Sequence, residues 1–343
     1  MERGAVRTKR SALLAQCVAA TLALACITAA VRAADHATSY AIYKSTDRGR
    51  SWVRSDSGLP GDSRINALTA MGSALFAGTD TGIFVSRDAG QTWQEIRGTA
   101  ASLGRVLSFA FLDGTLFAGT QRSGVFASGD EGKTWKPVNE GLTDRNVRSL
   151  LSWWGALYAG TDTEGVFRSA DGGRTWTPLS RGIPRGAQVL ALAALGESVF
   201  AGLYSKGLYR WDEQQKSWVK TGSVLPLVLA SVGGTLVAGH NPGGIWWNAS
   251  LGDTWSAGLA QRARVPSAGA ELAPNAPVWM LGSDGRQVFA GAADGIYYSD
   301  DAGRTWSRAE AGLPAASPGI AFLVTDDLVL AAVAVSTGAS GQP

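Results

Sequence analysis

Five aspartates recur along the chain in one setting: Asp47, Asp88, Asp130, Asp171 and Asp301. Each is the third residue of an octet, Ser-x-Asp-x-Gly-x-(Thr/Ser)-Trp, closing on Trp52, Trp93, Trp135, Trp176 and Trp306. A row of carboxylates is raw material for metal binding or general acid catalysis, but both require unlike groups converging on one point. Identical groups returned once per repeat are instead spread as evenly as the repeat, and a role present in every unit is a folding role. Within the octet the Asp is suited to accept amide hydrogen bonds of its own turn. The Gly supplies a positive φ, and the Trp can pack over the hairpin.

Other acids are candidates by position only. Asp80, Asp162, Glu164 and Asp294 fall in links between strands, with nothing in their spacing to pair two across a cleft as glycoside hydrolysis requires. The two histidines, His36 and His240, and the two cysteines, Cys17 and Cys26, are too few and too scattered for a metal or thiol site. The glycines sit at strand ends and form no phosphate-binding loop, so neither metal nor cofactor is expected.

The arginines show a pattern of their own. Arg64 and Arg105 each follow the preceding octet Trp by twelve residues, Arg145 by ten and Arg185 by nine, and all four stand just ahead of an apolar run. Arg122 lies in another link, and Arg262 and Arg264 lie in the longest one. An arc of guanidinium groups suits an acidic protein segment or a carboxylated sugar. The competing reading is a set of solvated arginines balanced by Asp62, Asp80 and Asp144.

The elements that must hold these residues follow from the repeat. Residues 65–96 divide into an apolar run (65–70), a Leu-Phe-Ala-Gly strand (75–78), a third strand (83–86) and a fourth opening at Trp93, with turn residues between. The second strand returns as LFAGT, LYAGT, VFAG, LVAG and VFAG, and the third carries an aromatic at Tyr43, Phe84, Phe126, Phe167, Tyr209, Trp246 and Tyr297. A four-stranded meander of this size cannot bury both its faces alone, so the copies must pack on one another. Trp218 and Trp255 complete a row of seven tryptophans with a period near 41 residues. The chain opens with a third and fourth strand and ends with a first and second. The expected fold is therefore all-β: a seven-bladed propeller of four-stranded antiparallel blades, spanning 40–334 and closed by pairing of the two terminal half-blades. An open solenoid would leave both halves unpaired.

Residues 1–33 read as an export signal, with a basic start, an Ala- and Leu-rich stretch and Val31-Arg32-Ala33 at a plausible cleavage point. An uncleaved membrane anchor is the competing reading. Removal takes away five of the 31 basic residues and one of the 28 acidic ones, leaving 26 against 27. A near-neutral mature chain gives no argument for a nucleic-acid partner. Both cysteines leave with the signal, so the exported protein has no disulfide. Residues 335–343 form a C-terminal tail, and a monomer is expected.

The five octets resemble the Asp-box, or BNR, repeat of sialidases, sortilins, some glucanases and the photosystem II assembly and stability factors. In those families the box lies at the periphery, away from the catalytic face, and the resemblance therefore implies fold more than activity. The seven-blade count looks more like the assembly-factor and general bacterial BNR proteins than like six-bladed sialidases. The sialidase signature Phe/Tyr-Arg-Ile-Pro is absent; Gly182-Ile183-Pro184-Arg185 is not that motif. Two octets depart from the pattern, WDEQQKSW (211–218) and NASLGDTW (248–255), and Trp211, Trp246 and Trp247 crowd the same two blades. These readings lead to a periplasmic or secreted non-enzymatic scaffold that binds a protein partner through the face opposite the octets. The alternative is a carbohydrate-active protein, either hydrolase or lectin.

Overall fold

The computed structural model describes residues 38–98, 103–222, 224–240, 243–249, 254–257, 277–315 and 317–336. Residues 1–33, read above as an export signal, Arg262, Arg264 and residues 337–343 lie outside the described residues. Contacts divide the chain into Tyr40–Val335 and a second unit, Met1–Ser39 with Ser336–Pro343, of which only strand ends are described.

Seven four-stranded sheets make up the larger unit. Blade 1 shows the pattern, with strands Ile65–Met71, Ala74–Thr79, Ile83–Ser86 and Gln94–Glu95 paired antiparallel in sequence order. Blades 2 to 6 repeat it over residues 106–137, 147–178, 189–220, 226–257 and 278–309. Blade 7 joins the termini: its first two strands are Gly319–Val324 and Val329–Ser336, its last two Thr38–Ser45 and Val53–Arg54. Each first strand packs on the first strand of the next blade, and that of blade 7 on that of blade 1, so the ring closes around these innermost strands. Among the described residues there is no helix long and apolar enough to cross a membrane.

The spaces between blades are the core. Among the described residues seven apolar clusters occur, one at each blade–blade junction. The Ala-Gly pair of the second strand is what lets the blades approach. A Cβ on Gly78, Gly119 or Gly160 would stand 2.6–2.8 Å from the valine that opens the next blade (Val106, Val147, Val189). At the junction of blades 7 and 1 the same place holds Ala332, packed with Ile65.

The octet tryptophans belong to these junctions rather than to their own hairpins. Trp176, 2% exposed, lies with Phe117 and Leu142 of blade 2 and the link that follows it, and Trp93 lies with Leu330 of blade 7. Their indole N–H groups donate across the junction, from Trp93 to the Ser55 carbonyl (2.8 Å), Trp176 to Val138 (2.8 Å) and Trp218 to Leu179 (2.5 Å). Trp52, Trp135 and Trp306 instead donate to the glycine carbonyl of their own turn.

The five aspartates are bound as folding devices. In blade 2 the Ser128 hydroxyl donates to Asp130 Oδ1 (2.8 Å) and accepts from Gly132 N (2.9 Å). Thr134 donates its amide to Oδ1 (2.9 Å) and its hydroxyl to Oδ2 (2.5 Å). The same set ties Asp47, Asp88, Asp171 and Asp301 to their turns. These bonds favour the charged form. The hydroxyls and amides of Thr92, Thr134 and Thr175 hold Asp88, Asp130 and Asp171 down at about 2, and Asp47 is lowered by Ser51 in the same way. For Asp301 burial pulls the other way, but the Thr305 and Ser299 bonds outweigh it and the net shift is downward.

Candidate functional site

A meander puts its first and third turns on one face and its second turn, with the crossing to the next blade, on the other. The octet turns therefore share one face, and the five described candidate arginines share the opposite one, called here the link face.

On the link face the residue ahead of each first strand is fixed by the second turn of its own blade. The carbonyls of Arg64, Arg105, Asn146 and Gln188 accept the amides of Asp80, Gln121, Asp162 and Tyr204 at 2.9–3.2 Å. Each first strand then bulges at its second residue, which places Asn66 and Arg148 beside these turns. Asp80 accepts from Asn66 of its own blade (2.9 Å) and from Arg105, which enters blade 2 (2.6 Å). Asp162 accepts from Arg148 of its own blade, again in an ion pair, and from Gln188, which enters blade 4 (2.9 Å). The two aspartates thus stitch adjacent blades together.

Asp144, 7% exposed, clamps the links of blade 3, accepting from the amides of Asn146 (3.0 Å) and Thr163 (2.8 Å) and from the Thr163 hydroxyl (2.8 Å). Burial would raise its pKa, but these bonds prevail and it is lowered. Glu164 accepts from the Thr143 hydroxyl. Asp80, Asp144, Asp162 and Glu164 are therefore engaged. Asp294, in the second turn of blade 6, accepts from the Tyr297 hydroxyl (2.8 Å), and burial followed by that bond raises the pKa of Tyr297.

The arginines divide into two kinds. Arg105 is ion-paired, and Arg64 is half-buried with Nε shut from solvent and unbonded to any described residue. Arg122, Arg145 and Arg185 are exposed, and no described acid pairs with them. Arg122 holds a φ of 83° in its turn, where only a short list of residues is comfortable. Arg148 escaped the sequence pattern because it lies inside a strand, brought to the face by the bulge. Of the three acids invoked to balance the arginines, Asp80 does so, while Asp144 and the exposed Asp62 form no ion pair among the described residues.

The aromatic crowd of blades 4 and 5 is consumed by packing. Trp211 lies edge-on to Trp218 (5.7 Å) and donates to Glu213 (2.7 Å), Trp246 lies against His240 (5.9 Å), and Arg304 of blade 6 sits 5.0 Å from the Trp247 ring. In the altered octet of blade 4, Asp212 accepts from the amides of Gln214 and Gln215 (2.9 Å each) and makes a different turn. The exposed aromatics are others: Trp154 (72%) and Phe111 (45%), on the octet side of blades 3 and 2. No group of three potential metal ligands occurs among the described residues.

Comparison with known proteins agrees with this architecture. A family model described as the DUF6242 β-propeller domain matches residues 25–137 and 110–328, the overlap being what a repeated blade allows. No curated protein matches the sequence. Among solved structures the chain is similar to YCF48 from Cyanidioschyzon merolae, at 15% identity and a TM-score of 0.59, over 80% of this chain and 96% of that one. It is also similar to a structure of YCF48 bound to D1 peptide, at 17% identity and 0.59, over 80% and 94%. A GH74 xyloglucanase from Xanthomonas campestris matches at 17% identity and 0.60, over 85% of this chain and 54% of that one. At such identities the likeness is one of fold. The chain belongs to the DUF6242 β-propeller domain family.

Proposed function

We propose that this chain is an exported, non-enzymatic propeller of the Asp-box type that holds an acidic segment of a partner protein on its link face. The observation that carries this reading is a set of three exposed guanidinium groups there without an ion-pair partner among the described residues. Arg122, Arg145 and Arg185, on blades 2 and 3 and the entry to blade 4, are exposed without a described acid partner, while Asp80, Asp144, Asp162 and Glu164 are already bonded. Unpaired guanidinium groups on a rigid ring are preorganised for carboxylates. Asp80 and Asp162 are each already bonded to side chains from two adjacent blades, which argues against either as a free hydrolytic carboxylate. The peptide-bound YCF48 structure supports a peptide as a ligand for a propeller of this shape.

The test is a crosslinking pull-down from the native envelope with the triple variant Arg122→Glu, Arg145→Glu, Arg185→Glu. Lys133→Glu with Arg174→Glu, on the octet turns, is the control. Loss of capture in the first alone, at an unchanged melting temperature, is expected; retained capture sinks the reading. Arg64→Glu with Arg105→Glu is a weaker test, because Arg105 is held by Asp80. A glycan array and a fluorogenic sialoside assay are expected to be negative.

A further inference from the structure

At the junction of blades 1 and 2 the octet turns pair across the gap. Arg87 of blade 1 donates Nη1 to the Glu131 carboxylate (3.0 Å) and Nη2 to the Glu131 backbone carbonyl (3.1 Å). Arg87 follows the octet Ser and Glu131 follows the octet Asp; in blades 6 and 7 the same two positions hold Asp300 and Arg48, with the charges exchanged. Asp300 and Arg48 do not pair. Gln287 of blade 6, 4% exposed, stands between them, its Nε2 donating to Asp300 Oδ1 (2.9 Å) and to the Arg48 carbonyl (3.2 Å). That carbonyl is the counterpart of the one Arg87 caps. One amide thus answers both the acid and the backbone, and the Arg48 guanidinium is left without an acid.

Gln287 reaches this place because the first turn of blade 6 is long. In blade 1 only Gly72 and Ser73 separate Met71 from its partner Ala74, whereas in blade 6 residues 284–287 separate Ser283 from Val288. Asp284 Oδ1 accepts the amides of Arg286 (2.8 Å) and Gln287 (2.7 Å) and fixes the turn. Arg286 is carried to the same junction, where it meets Asp326 at 3.4 Å with the two side chains 72% and 73% exposed. A pair so exposed holds its guanidinium weakly.

A cavity of about 220 Å³ lies here on the octet face, lined by Arg48, Arg50, Arg286, Gln287 and Asp300. Arg48 and Arg50 flank Gly49, on which a Cβ would stand 2.4 Å from the Phe289 ring of blade 6, so the turn bearing both arginines is seated on the neighbouring blade. Neither arginine forms an ion pair among the described residues. Arg48 holds a φ of 60°, at a position filled by Ala89 in blade 1, Gly172 in blade 3 and Ala302 in blade 6. Guanidinium groups from two blades therefore meet around a single lining carboxylate, which Gln287 already holds.

The lining has no apolar side chain, and the volume falls below the range of roughly 300–1,000 Å³ for sites of larger organic ligands. Such a cavity offers an apolar body nothing to pack on and selects a small anion. Forks arriving from two blades present more donors than a planar carboxylate accepts, and they match a tetrahedral oxyanion.

We propose that this cavity binds a phosphate-type oxyanion, held by Arg48 and Arg50 of blade 7 and Arg286 of blade 6. Free inorganic phosphate and the phosphoryl group of a small phosphomonoester share this chemistry. The site is on the octet face and stands independently of peptide binding on the link face.

Isothermal titration of the purified chain at constant ionic strength with inorganic phosphate, glucose 6-phosphate and acetate tests the proposal. Saturable binding of a phosphate probe and no binding of acetate is expected. Preference for inorganic phosphate assigns the free ion as the natural ligand, and preference for glucose 6-phosphate assigns a phosphomonoester. Arg48→Ala, which copies blades 1 and 6, and Arg286→Ala are each expected to weaken binding about tenfold or more. If one variant is unstable the other serves. Arg174→Ala, at the position of Arg50 in the octet of blade 3, and the triple link-face variant are expected to leave binding unchanged. Absence of phosphate binding, equal binding of acetate, unchanged affinity in either cavity variant, or a comparable loss in either control overturns the proposal.

Discussion

The backbone carbonyl of Trp176 stands where Gly141 of the preceding link would need a side chain: a Cβ there would lie 2.2 Å from the oxygen. The Trp176 amide meanwhile donates to the Glu140 carbonyl at 2.8 Å, so one peptide of the link is clasped from both sides by the next blade's tryptophan. Gly58 with Trp93, Gly182 with Trp218 and Gly312 with Trp52 repeat the contact. Gly141→Ala should therefore cost about 3 kcal/mol or more, because neither backbone can yield. Gly155, also at positive φ but with open space around it, should lose only about 1–2 kcal/mol on the same change. Urea denaturation of the two variants measures the difference, and similar losses would mean the blades separate easily at the link.

Acid should act through the octets. Their aspartates have pKa values lowered in the folded chain, to about 2 for Asp88, Asp130 and Asp171. A depressed folded pKa contributes stability that is present above the unfolded value, about 3.9, and is lost as pH falls through the folded one. Melting temperature should accordingly decline from about pH 4 toward pH 2. Asp130→Asn should melt lower than the parent at neutral pH and approach it at the acid end. A constant gap between the two at all pH values would show that the charge is not what the turn uses.

The ring, its blade count and its closure were legible because they follow from a period and an alternation of apolar residues, both properties of sequence order. The link face was legible only in part. Counting forward from each tryptophan found Arg64, Arg105, Arg145 and Arg185, but it cannot register a bulge, and so it missed Arg148. It also could not show that Arg105 is spent on Asp80, since that pair joins residues 25 apart through the contact of two blades. A further signal was present and unused. Glycine stands six residues after Trp52, Trp135, Trp176 and Trp306, and these are link glycines pressed against the next blade.

Losing one donor of a stitch should cost less than losing its acceptor. The Arg105–Asp80 pair has side chains 45% and 26% exposed, and Asn66 remains to bond Asp80 when the arginine is gone. Arg105→Ala should cost less than about 1 kcal/mol. Asp162→Ala removes the acceptor of both Arg148 and Gln188 at one blade junction and should cost about 1–3 kcal/mol. Equilibrium denaturation at low and high salt checks this, with the smaller loss also the more salt-sensitive.

Trp154 occupies a turn that does not suit it. Its φ is 49°, followed by Gly155 at 67°, the geometry that Asp113 and Gly114 adopt (47° and 77°) in the corresponding turn of blade 2. Left-handed φ values at the first position of a two-residue hairpin favour Asn, Asp or Gly, and a bulky side chain there is strained. With 72% of the residue exposed, little packing offsets that cost. Trp154→Asn should therefore raise stability by about 0.5–1 kcal/mol, read as a higher denaturation midpoint with an unchanged slope. A gain would mean that the preference of the turn outweighs the packing of the indole. A loss would show instead that the ring stabilises the octet side of blade 3.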